Sequence, residues 1–304
     1  MTTACEQTYT SSQSETNLRG TIAISGAWAL YPMVIRWSEE YQNLHPEVNF
    51  DISAGGAGKG MADALAGAVD IGMVSREIYS EEIGRGAFWV SVTKDAVFPT
   101  INENNPVWDD LSQKGASRDI FIKTFITGDI TTWGQVVGRN EVTDPIHVFT
   151  RSDACGAAAT WASYLGAVQE DILGVGVYGD PGLLDAVIKD PLGIGYNNLN
   201  YIFDMQTGKP VNGAHVFPID ANNNGLADPN EIFDSKVMAI EAVDTGQYPS
   251  PPARNLNLVT KGKPTGLVKD FVTWVLSDGQ NYIDEAGYIA LPKDKLEEEL
   301  NKLD

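Results

Sequence analysis

The most specific chemical pattern in the sequence is DANNNGLADPNE, at residues 220–231. It satisfies the calcium-loop pattern D-x-[DN]-x-[DN]-G-x5-E at every constrained position. Such a loop binds its ion through side-chain oxygens and one main-chain carbonyl. Here these would come from Asp220, Asn222, Asn224, the carbonyl of Leu226, Asp228 and Glu231. We expect one structural Ca²⁺ in this loop. Because the preceding AHVFPI is strand-like, this would be a calcium loop without a complete helix–loop–helix hand. The alternative is a polar surface loop.

The residues that usually carry catalysis are scattered along the chain. His45, His147 and His215 lie far apart, and none belongs to a recognisable motif. The sequence contains no G-x-S-x-G, H-E-x-x-H or C-x-x-C pattern. We therefore expect no enzyme and no catalytic cofactor. An alternative with Cys155 as a nucleophile requires a histidine beside that thiol.

Two glycine-rich segments match phosphate-binding loops only in part. GVGVYG (174–179) has the G-x-G-x-x-G spacing, but no convincing strand precedes it and no acidic residue follows at the required place. AGGAGKG (54–60) has Ser53 where a P-loop begins with glycine, and it lacks a Ser or Thr after Lys59. Neither segment predicts a nucleotide site. The main-chain amides of the second could still hold an anion, and the alternative is a tight turn.

Strand and helix patterns alternate along the elements that would position these residues. Apolar runs predict strands at 21–25, 48–53, 69–75, 146–150, 193–196 and 255–260. Helical spacing is seen between them, for example over 30–44 and 179–191. This alternation favours parallel strands with crossover helices. Ligands bind such sheets at the carboxyl ends of the strands, where several of the loops lie.

Length and charge limit the class of protein. The chain has 304 residues, a soft indication of two domains. Its 21 Lys and Arg face 41 Asp and Glu, which gives a net charge of −20. A chain this acidic lacks the basic surface for nucleic acid or anionic membrane. No apolar run approaches the ~18 residues of a membrane span. We expect a soluble globular protein.

The first residues have the composition of a tail. Residues 1–19 contain eight Ser or Thr and few side chains to bury, so a flexible tail is predicted. Cys5 follows Ala4 and resembles the lipidation site of a surface lipoprotein; the alternative is an unmodified cysteine. Because Cys155 would have to pair with that tail, we expect no structural disulfide.

Four segments together resemble phosphate-binding proteins of ABC importers. They are ISGAWALYPMVIRWSEEY, ISAGGAGKGMADALAGAVDIGMVSREI, FITGDITTWGQ with IHVFTRSDACG, and LVTKGKPTGLVKDFVTWVLSDGQNYIDEAGYIAL. The resemblance implies the type II periplasmic-binding-protein fold, an α/β fold of two lobes joined by two crossing strands with a ligand cleft between them. It places the first lobe at 20–97 plus 255–304, and the second, with the calcium loop, at 98–254.

The resemblance also implies which residues bind the anion. Carried over by motif, they are Ala27, Trp28, Ala57, Gly58, Lys59, Ser75, Arg76, Arg151, Asp153, Cys155, Gly156 and Ala157. Several positions that carry a hydroxyl in the family have none here, Ala57 and Ala157 among them. The main-chain amides persist, since any residue except proline supplies one. Arg151 is expected to be the main side-chain anchor, and Asp153 either accepts the proton of hydrogen phosphate or orients Arg151.

The expected function is that of an extracytoplasmic, monomeric solute-binding protein. It would capture phosphate by hinge closure and deliver it to an ABC permease, without making or breaking a bond. Alternatives with the same fold bind sulfate, tungstate, molybdate or a small carboxylate. An alternative of another class is a calcium-dependent surface interaction module whose cleft is vestigial.

Overall fold

A computed structural model describes residues 18–304 as an α/β protein built on a nine-stranded sheet. The predicted tail, apart from residues 18 and 19, and Cys5 lie outside the described residues. The strands are β1 (Gly20–Gly26), β2 (Val48–Ala54), β3 (Ile71–Val74), β4 (Ala87–Asn102), β5 (His147–Arg151), β6 (Val175–Val177), β7 (Gly193–Asn198), β8 (Ala214–Val216) and β9 (Ala253–Lys261).

Helices cover the sheet between the strands. The α-helices are α1 (Tyr31–Leu44), α2 (Ala57–Ala66), α3 (Ser80–Gly84), α4 (Trp108–Lys114), α5 (Arg118–Ile122), α6 (Trp133–Val137), α7 (Gly156–Leu165), α8 (Gly179–Lys189), α9 (Leu199–Ile202), α10 (Lys236–Asp244), α11 (Gly266–Leu276) and α12 (Lys293–Asn301). Short 3₁₀ turns occupy Gln169–Asp171 and Asp278–Tyr282, and a π-helical turn occupies Lys123–Thr127. Within residues 18–304 no helix is both long and apolar enough to span a bilayer.

The strand order shows two parallel groups joined by antiparallel strands. The order is β2-β1-β3-β9-β4-β7-β5-β6, and β8 pairs with β4. β1 is parallel to β2 and β3, and β5 is parallel to β6 and β7. β4 and β9 run antiparallel to each other between these groups. The helical crossovers predicted from the sequence therefore build each group, while β4 and β9 connect the groups.

Buried side chains form two separate hydrophobic cores. One core extends from Ile22 to Val92 and resumes from Leu256 to Leu303. The other extends from Ala96 to Tyr248 and includes Ile289. We call the elements around these cores lobe 1 and lobe 2. Leu18, which the sequence assigned to the tail, packs against the lobe 1 core, so the polar segment ends before it.

Close helix–sheet packing brings the first turn of α2 to the carboxyl ends of the lobe 1 strands. A Cβ added to Gly60 would lie 2.6 Å from the carbonyl oxygen of Met73 and 2.8 Å from the Cα of Gly26. Only a residue without a side chain allows α2 to approach β1 and β3 this closely. The glycines of the AGGAGKG segment thus set the position of this helix.

Candidate functional site

The glycine-rich loop of lobe 1 and the RSDACG loop of lobe 2 are in direct contact. The amide of Gly58 donates a hydrogen bond of 2.9 Å to the carbonyl of Ala154. A Cβ added to Gly56 would lie 2.9 Å from Oδ2 of Asp153. The N-terminus of α2 and the N-terminus of α7 are therefore brought together between the lobes.

The two other segments predicted to bind the anion, around Trp28 and around Ser75, reach the same interface. A Cβ added to Gly156 would lie 2.1 Å from Oγ of Ser75, so only glycine fits opposite this serine. Trp28 packs at ring-centroid distance 6.0 Å against Tyr178 of lobe 2, and its carbonyl accepts a hydrogen bond of 3.2 Å from the hydroxyl of Tyr201. The structure thus brings all four predicted loops together. Ala27 is 1% exposed, and its amide donates within lobe 1 to the carbonyl of Met73.

Helix N-termini supply most of the hydrogen-bond donors at this interface. The first amides of a helix have no partner within it, and they attract negative charge. The amides of Ala57 and Lys59 in α2, and of Gly156 and Ala157 in α7, have no acceptor among residues 18–304. The indole nitrogen of Trp28 is also buried without a partner in the described residues. These donors suit a small oxyanion.

Cys155 acts as the N-cap of α7. Its extended backbone (φ −128°, ψ 152°) lets Sγ accept a hydrogen bond of 3.3 Å from the amide of Ala158. Burial raises the pKa of the thiol to about 12, so the group stays protonated. His147 is paired with Asp190, and the ring of His215 stacks on Trp108. A nucleophilic thiolate activated by histidine has no support in this arrangement.

Arg151 is buried between two carboxylates. Its side chain is 0% exposed. Nε and Nη2 donate to the two oxygens of Asp153 at 2.8 and 2.6 Å, and Nη1 donates to Oδ2 of Asp180 at 2.5 Å. These bonds use three of the five N–H groups of a guanidinium and leave two for another acceptor. Burial opposes the charged form, but Asp180 and then Asp153 raise the pKa of Arg151 above its ordinary value.

Asp180, in the first turn of α8, is a member of this site that the sequence analysis missed. Its side chain is 0% exposed. Besides Arg151, it accepts hydrogen bonds from the amide of Asn198 at 3.2 Å and from the side-chain amide of Asn198 at 2.8 Å. Its place before Pro181, where acidic residues stabilise helix N-termini, was the available signal. That signal does not reveal that the carboxylate faces Arg151.

The predicted cationic side chains of lobe 1 are also paired. Arg76 donates to both oxygens of Glu82, at 3.0 and 2.7 Å, and lies 4.2 Å from the ring centre of Tyr79. Burial alone would raise the pKa of Glu82, but hydrogen bonds from Arg76 lower this pKa below its ordinary value. Lys59 is 46% exposed and forms an ion pair with Asp63 of its own helix. The positive charges of Arg76 and Lys59 are thus compensated by carboxylates, whereas the amides of Ala57 and Lys59 have no acceptor in the described part of the chain.

A cavity of about 820 Å³ borders the interface without including its helix N-termini. It extends along β4 and β9, between Arg76 and Tyr79 on one side and Thr160 and Ser163 of α7 on the other. Ala57, Gly58, Gly156 and Ala157 do not line it. Of the residues predicted to bind the anion, Arg76 lines this cavity, whereas the helix N-termini of the two lobes meet beside it.

The predicted calcium loop forms a compact turn closed by its own hydrogen bonds. Asp220 accepts from the amide of Gly225 at 2.9 Å, and Glu231 accepts from the amides of Ala221 and Asp228 at 2.9 and 3.0 Å. Asp220 and Glu231 are 4% and 6% exposed. The Asn222 and Asn224 side-chain amides donate to Asp228, and the Leu226 carbonyl lies in the same turn. Residues 18–304 contain no group of three His, Cys, Asp or Glu placed to hold a metal, so the Ca²⁺ site stays a prediction.

Sequence comparisons link most of the chain to one family. A family model described as a PBP superfamily domain matches residues 11–279. The phosphate-binding protein PstS of Bacillus subtilis is 26% identical over 96% of this chain and 87% of its own length. The phosphate-binding protein PstS of Methanocaldococcus jannaschii is 28% identical over 90% of this chain and 84% of its own length.

Solved structures share the fold. A putative phosphate ABC transporter substrate-binding protein from Clostridium perfringens, solved with bound phosphate, superposes with a TM-score of 0.72 at 22% identity. The match covers 90% of this chain and all of that one. An ABC-type phosphate transport receptor from Vibrio cholerae gives a TM-score of 0.65 at 19% identity, covering 89% of this chain and all of the receptor. The predicted fold class is confirmed.

Proposed function

The chain belongs to the PBP superfamily, and from that premise we propose that it is an extracytoplasmic solute-binding protein that captures phosphate for an ABC importer. The observation that carries the proposal is the meeting of two helix N-termini, one from each lobe, beside the buried Arg151. A small oxyanion held there would receive amide hydrogen bonds from both lobes at once. Binding would therefore favour the state in which the lobes are together.

Main-chain donors compensate for the missing hydroxyl groups. Ala57 and Ala157 still present their amides, Ser75 keeps its hydroxyl, and Trp28 contributes a buried indole N–H. The two unused N–H groups of Arg151 add charge-assisted donors. Such a set binds an oxyanion by number and geometry of hydrogen bonds rather than by net positive charge.

Selectivity for phosphate over sulfate would rest on one acceptor. Hydrogen phosphate carries a proton that it can donate, whereas sulfate carries none and is repelled by a carboxylate. Asp153 faces Gly56 across the interface, and its oxygens already accept from Arg151 and from the amide of Gly179. Its remaining lone pairs are the acceptor that hydrogen phosphate needs. An anion without a proton would be repelled by the Asp153 carboxylate and could donate no hydrogen bond to it.

The mechanism is capture by hinge closure, with no bond made or broken. The anion binds to the donors of one lobe, and the donors of the other lobe then stabilise the closed state. A membrane permease that recognises the closed, monomeric protein is the expected partner. Anchoring through a lipid on Cys5 is a further part of the proposal and concerns residues outside the described range.

Calorimetric titration with phosphate, sulfate, molybdate and tungstate tests the proposal. We expect phosphate to bind in one site and sulfate to bind at least tenfold more weakly. Equal or tighter binding of another oxyanion would move the assignment to that ligand. No binding of any anion, combined with a Ca²⁺-dependent surface interaction, would favour the interaction-module alternative.

We also propose that the 220–231 loop binds Ca²⁺ with the affinity of extracellular sites, ~10⁻⁴–10⁻³ M. Removing calcium should lower the melting temperature, and Glu231→Gln should abolish that response because the bidentate ligand is lost. Glu241→Gln, at an exposed position of α10, is the matched control. A melting temperature that a chelator does not change would remove the site.

A further inference from the structure

Two charged side chains face each other where the chain passes between the lobes. Asp95 of β4 and Arg254 of β9 are direct partners in the antiparallel register. Val92 and Leu256, just before and after them, belong to the lobe 1 core, whereas Ala96 belongs to the lobe 2 core. The pair therefore lies at the hinge.

The guanidinium of Arg254 connects this hinge to the anion-binding turn. Its side chain is 7% exposed, and Nη2 lies 3.2 Å from Oδ2 of Asp95. Nη1 donates at 3.3 Å to the carbonyl of Gly156, the first residue of α7. Nη2 also donates to Oδ1 of Asn198 at the end of β7. One side chain thus contacts both crossing strands and the turn that presents two of the proposed donors.

The contacts continue from Asn198 to the buried arginine of the cleft. The side-chain amide of Asn198 donates to Asp180 at 2.8 Å, and Asp180 accepts from Arg151 at 2.5 Å. A continuous series of hydrogen bonds therefore joins Asp95 at the hinge to Arg151 at the interface. Buried polar chains of this kind restrict the positions of their members, because each member has few alternative partners.

The Asp95–Arg254 pair is poorly explained by stability alone. Oδ1 of Asp95 and Nε of Arg254 are buried without a hydrogen-bond partner among residues 18–304. Such atoms are costly, and apolar side chains of similar volume often stabilise a buried position as well or better. A role in positioning the neighbouring turn accounts for the retained charges.

We infer that Arg254 is a positioning residue for anion binding, holding the first turn of α7 against the crossing strands so that the amides of Gly156 and Ala157 meet the anion when the hinge is closed. This inference rests on the proposed capture of phosphate. The planar guanidinium can serve Asp95, Gly156 and Asn198 together, whereas a lysine ammonium is a single point charge. Arg254 itself does not contact the anion.

Three variants test the inference with inorganic phosphate as the ligand. Arg254→Met removes the charge at similar length, Arg254→Lys keeps it, and Lys261→Met removes an exposed charge from the same strand as a control. We expect Arg254→Met to lower phosphate affinity about 10–100-fold through faster dissociation, with little change in association rate. Arg254→Lys should recover part of the affinity, and Lys261→Met should remain within twofold of the parent chain.

Hydrogen exchange without phosphate provides a second, ligand-independent measurement. In Arg254→Met, peptides over 153–160 should exchange faster than in the parent, whereas peptides over α11 should not. If the parent and Lys261→Met fail to bind phosphate, the proposed function fails while the exchange result still tests Arg254. If Arg254→Met does not fold, Arg254→Lys decides by the same measurements. Affinity within threefold of the parent, or unchanged exchange over 153–160, would overturn the inference.

Discussion

The two lobes contribute to the shared interface in different ways. Lobe 1 presents main-chain amides at the start of α2, and its nearby cations Lys59 and Arg76 are compensated by carboxylates. Lobe 2 presents the turn at the start of α7, which lies beside the buried ion pair of Arg151 and Asp180, both with 0% side-chain exposure. An amide donor persists whatever its side chain, but a buried charge cannot lose its partner cheaply. Loss of a charged side chain should therefore be tolerated in the lobe 1 loop and costly in the lobe 2 network.

The largest effect is expected where the lobe 2 network loses a member. Asp180→Ala would leave a guanidinium N–H of Arg151 and both donors of Asn198 without an acceptor, a loss on the order of 3–5 kcal/mol in the free energy of unfolding. Chemical denaturation measures it. Asp185→Ala, on the same helix with a 57% exposed side chain, should leave the midpoint unchanged. Equal denaturation midpoints for the two variants would contradict the prediction that the buried network of lobe 2 is costly to disrupt.

The hinge between the lobes should show a pH-dependent stability. Burial raises the pKa of Asp95 from 3.8 to about 6, against the opposing effect of Arg254. Arg254 of β9 and Asp180 of α8 are the charged groups that act on it from its packed neighbours. The folded state therefore binds the proton of the Asp95 carboxyl group more tightly than the unfolded state does. The stability gained from this proton is complete below pH ~4 and is lost as the pH rises through about 6.

The Asp95→Asn variant isolates that contribution. As the pH rises from 4 to 7, the parent should lose up to about 3 kcal/mol of unfolding free energy relative to the variant. Denaturant titrations of both proteins at each pH measure the difference. A constant difference across this range would show that Asp95 titrates normally in the folded protein.

Adding a methyl group at the contact between the lobes should weaken closure on phosphate without weakening the fold of either lobe. Gly156→Ala places a Cβ 2.1 Å from Oγ of Ser75 and 2.2 Å from its carbonyl oxygen. Such overpacking typically costs ~1–3 kcal/mol, which here would oppose closure and weaken phosphate binding about 5–150-fold. The melting temperature without phosphate should change little. Gly84→Ala, with no neighbouring atom within 4 Å of the added group, is the control.

The smallest effect is expected at Lys59, the exposed cation of lobe 1. Lys59→Ala removes an exposed ammonium that is already paired with Asp63, but it keeps the amide of residue 59. Exposed ion pairs contribute ~0–1 kcal/mol, so phosphate affinity should change less than about fivefold. Calorimetry on this variant beside Gly156→Ala sharpens the comparison. A larger loss at Lys59 would mean that side-chain charge, and not the main chain, carries the lobe 1 half of the site.

Local patterns in the sequence were sufficient for the parallel parts of the fold. The helix over 31–44 and the strands around Ile24 and Ile52 follow from apolar spacing, because helix and strand have different periods. The same periodicity predicts no strand over 87–102, where β4 runs for sixteen residues. This strand is buried along nearly its whole length and crosses between two cores, so it shows no alternation of apolar and polar residues.

The candidate site likewise has features that follow from local sequence and features that depend on tertiary contacts. The sequence by itself determined which loops follow strands and begin helices, and hence where unpaired amides are found, since capping and glycine placement are local properties. Only the tertiary structure decided that Asp180 faces Arg151, that Arg254 reaches Gly156, and that Ser75 meets a glycine of the other lobe. Those contacts join residues 29, 98 and 81 positions apart. No local pattern encodes such pairs, because the first arises from the packing of helices against strands within lobe 2 and the other two arise where the crossing strands hold the two cores together.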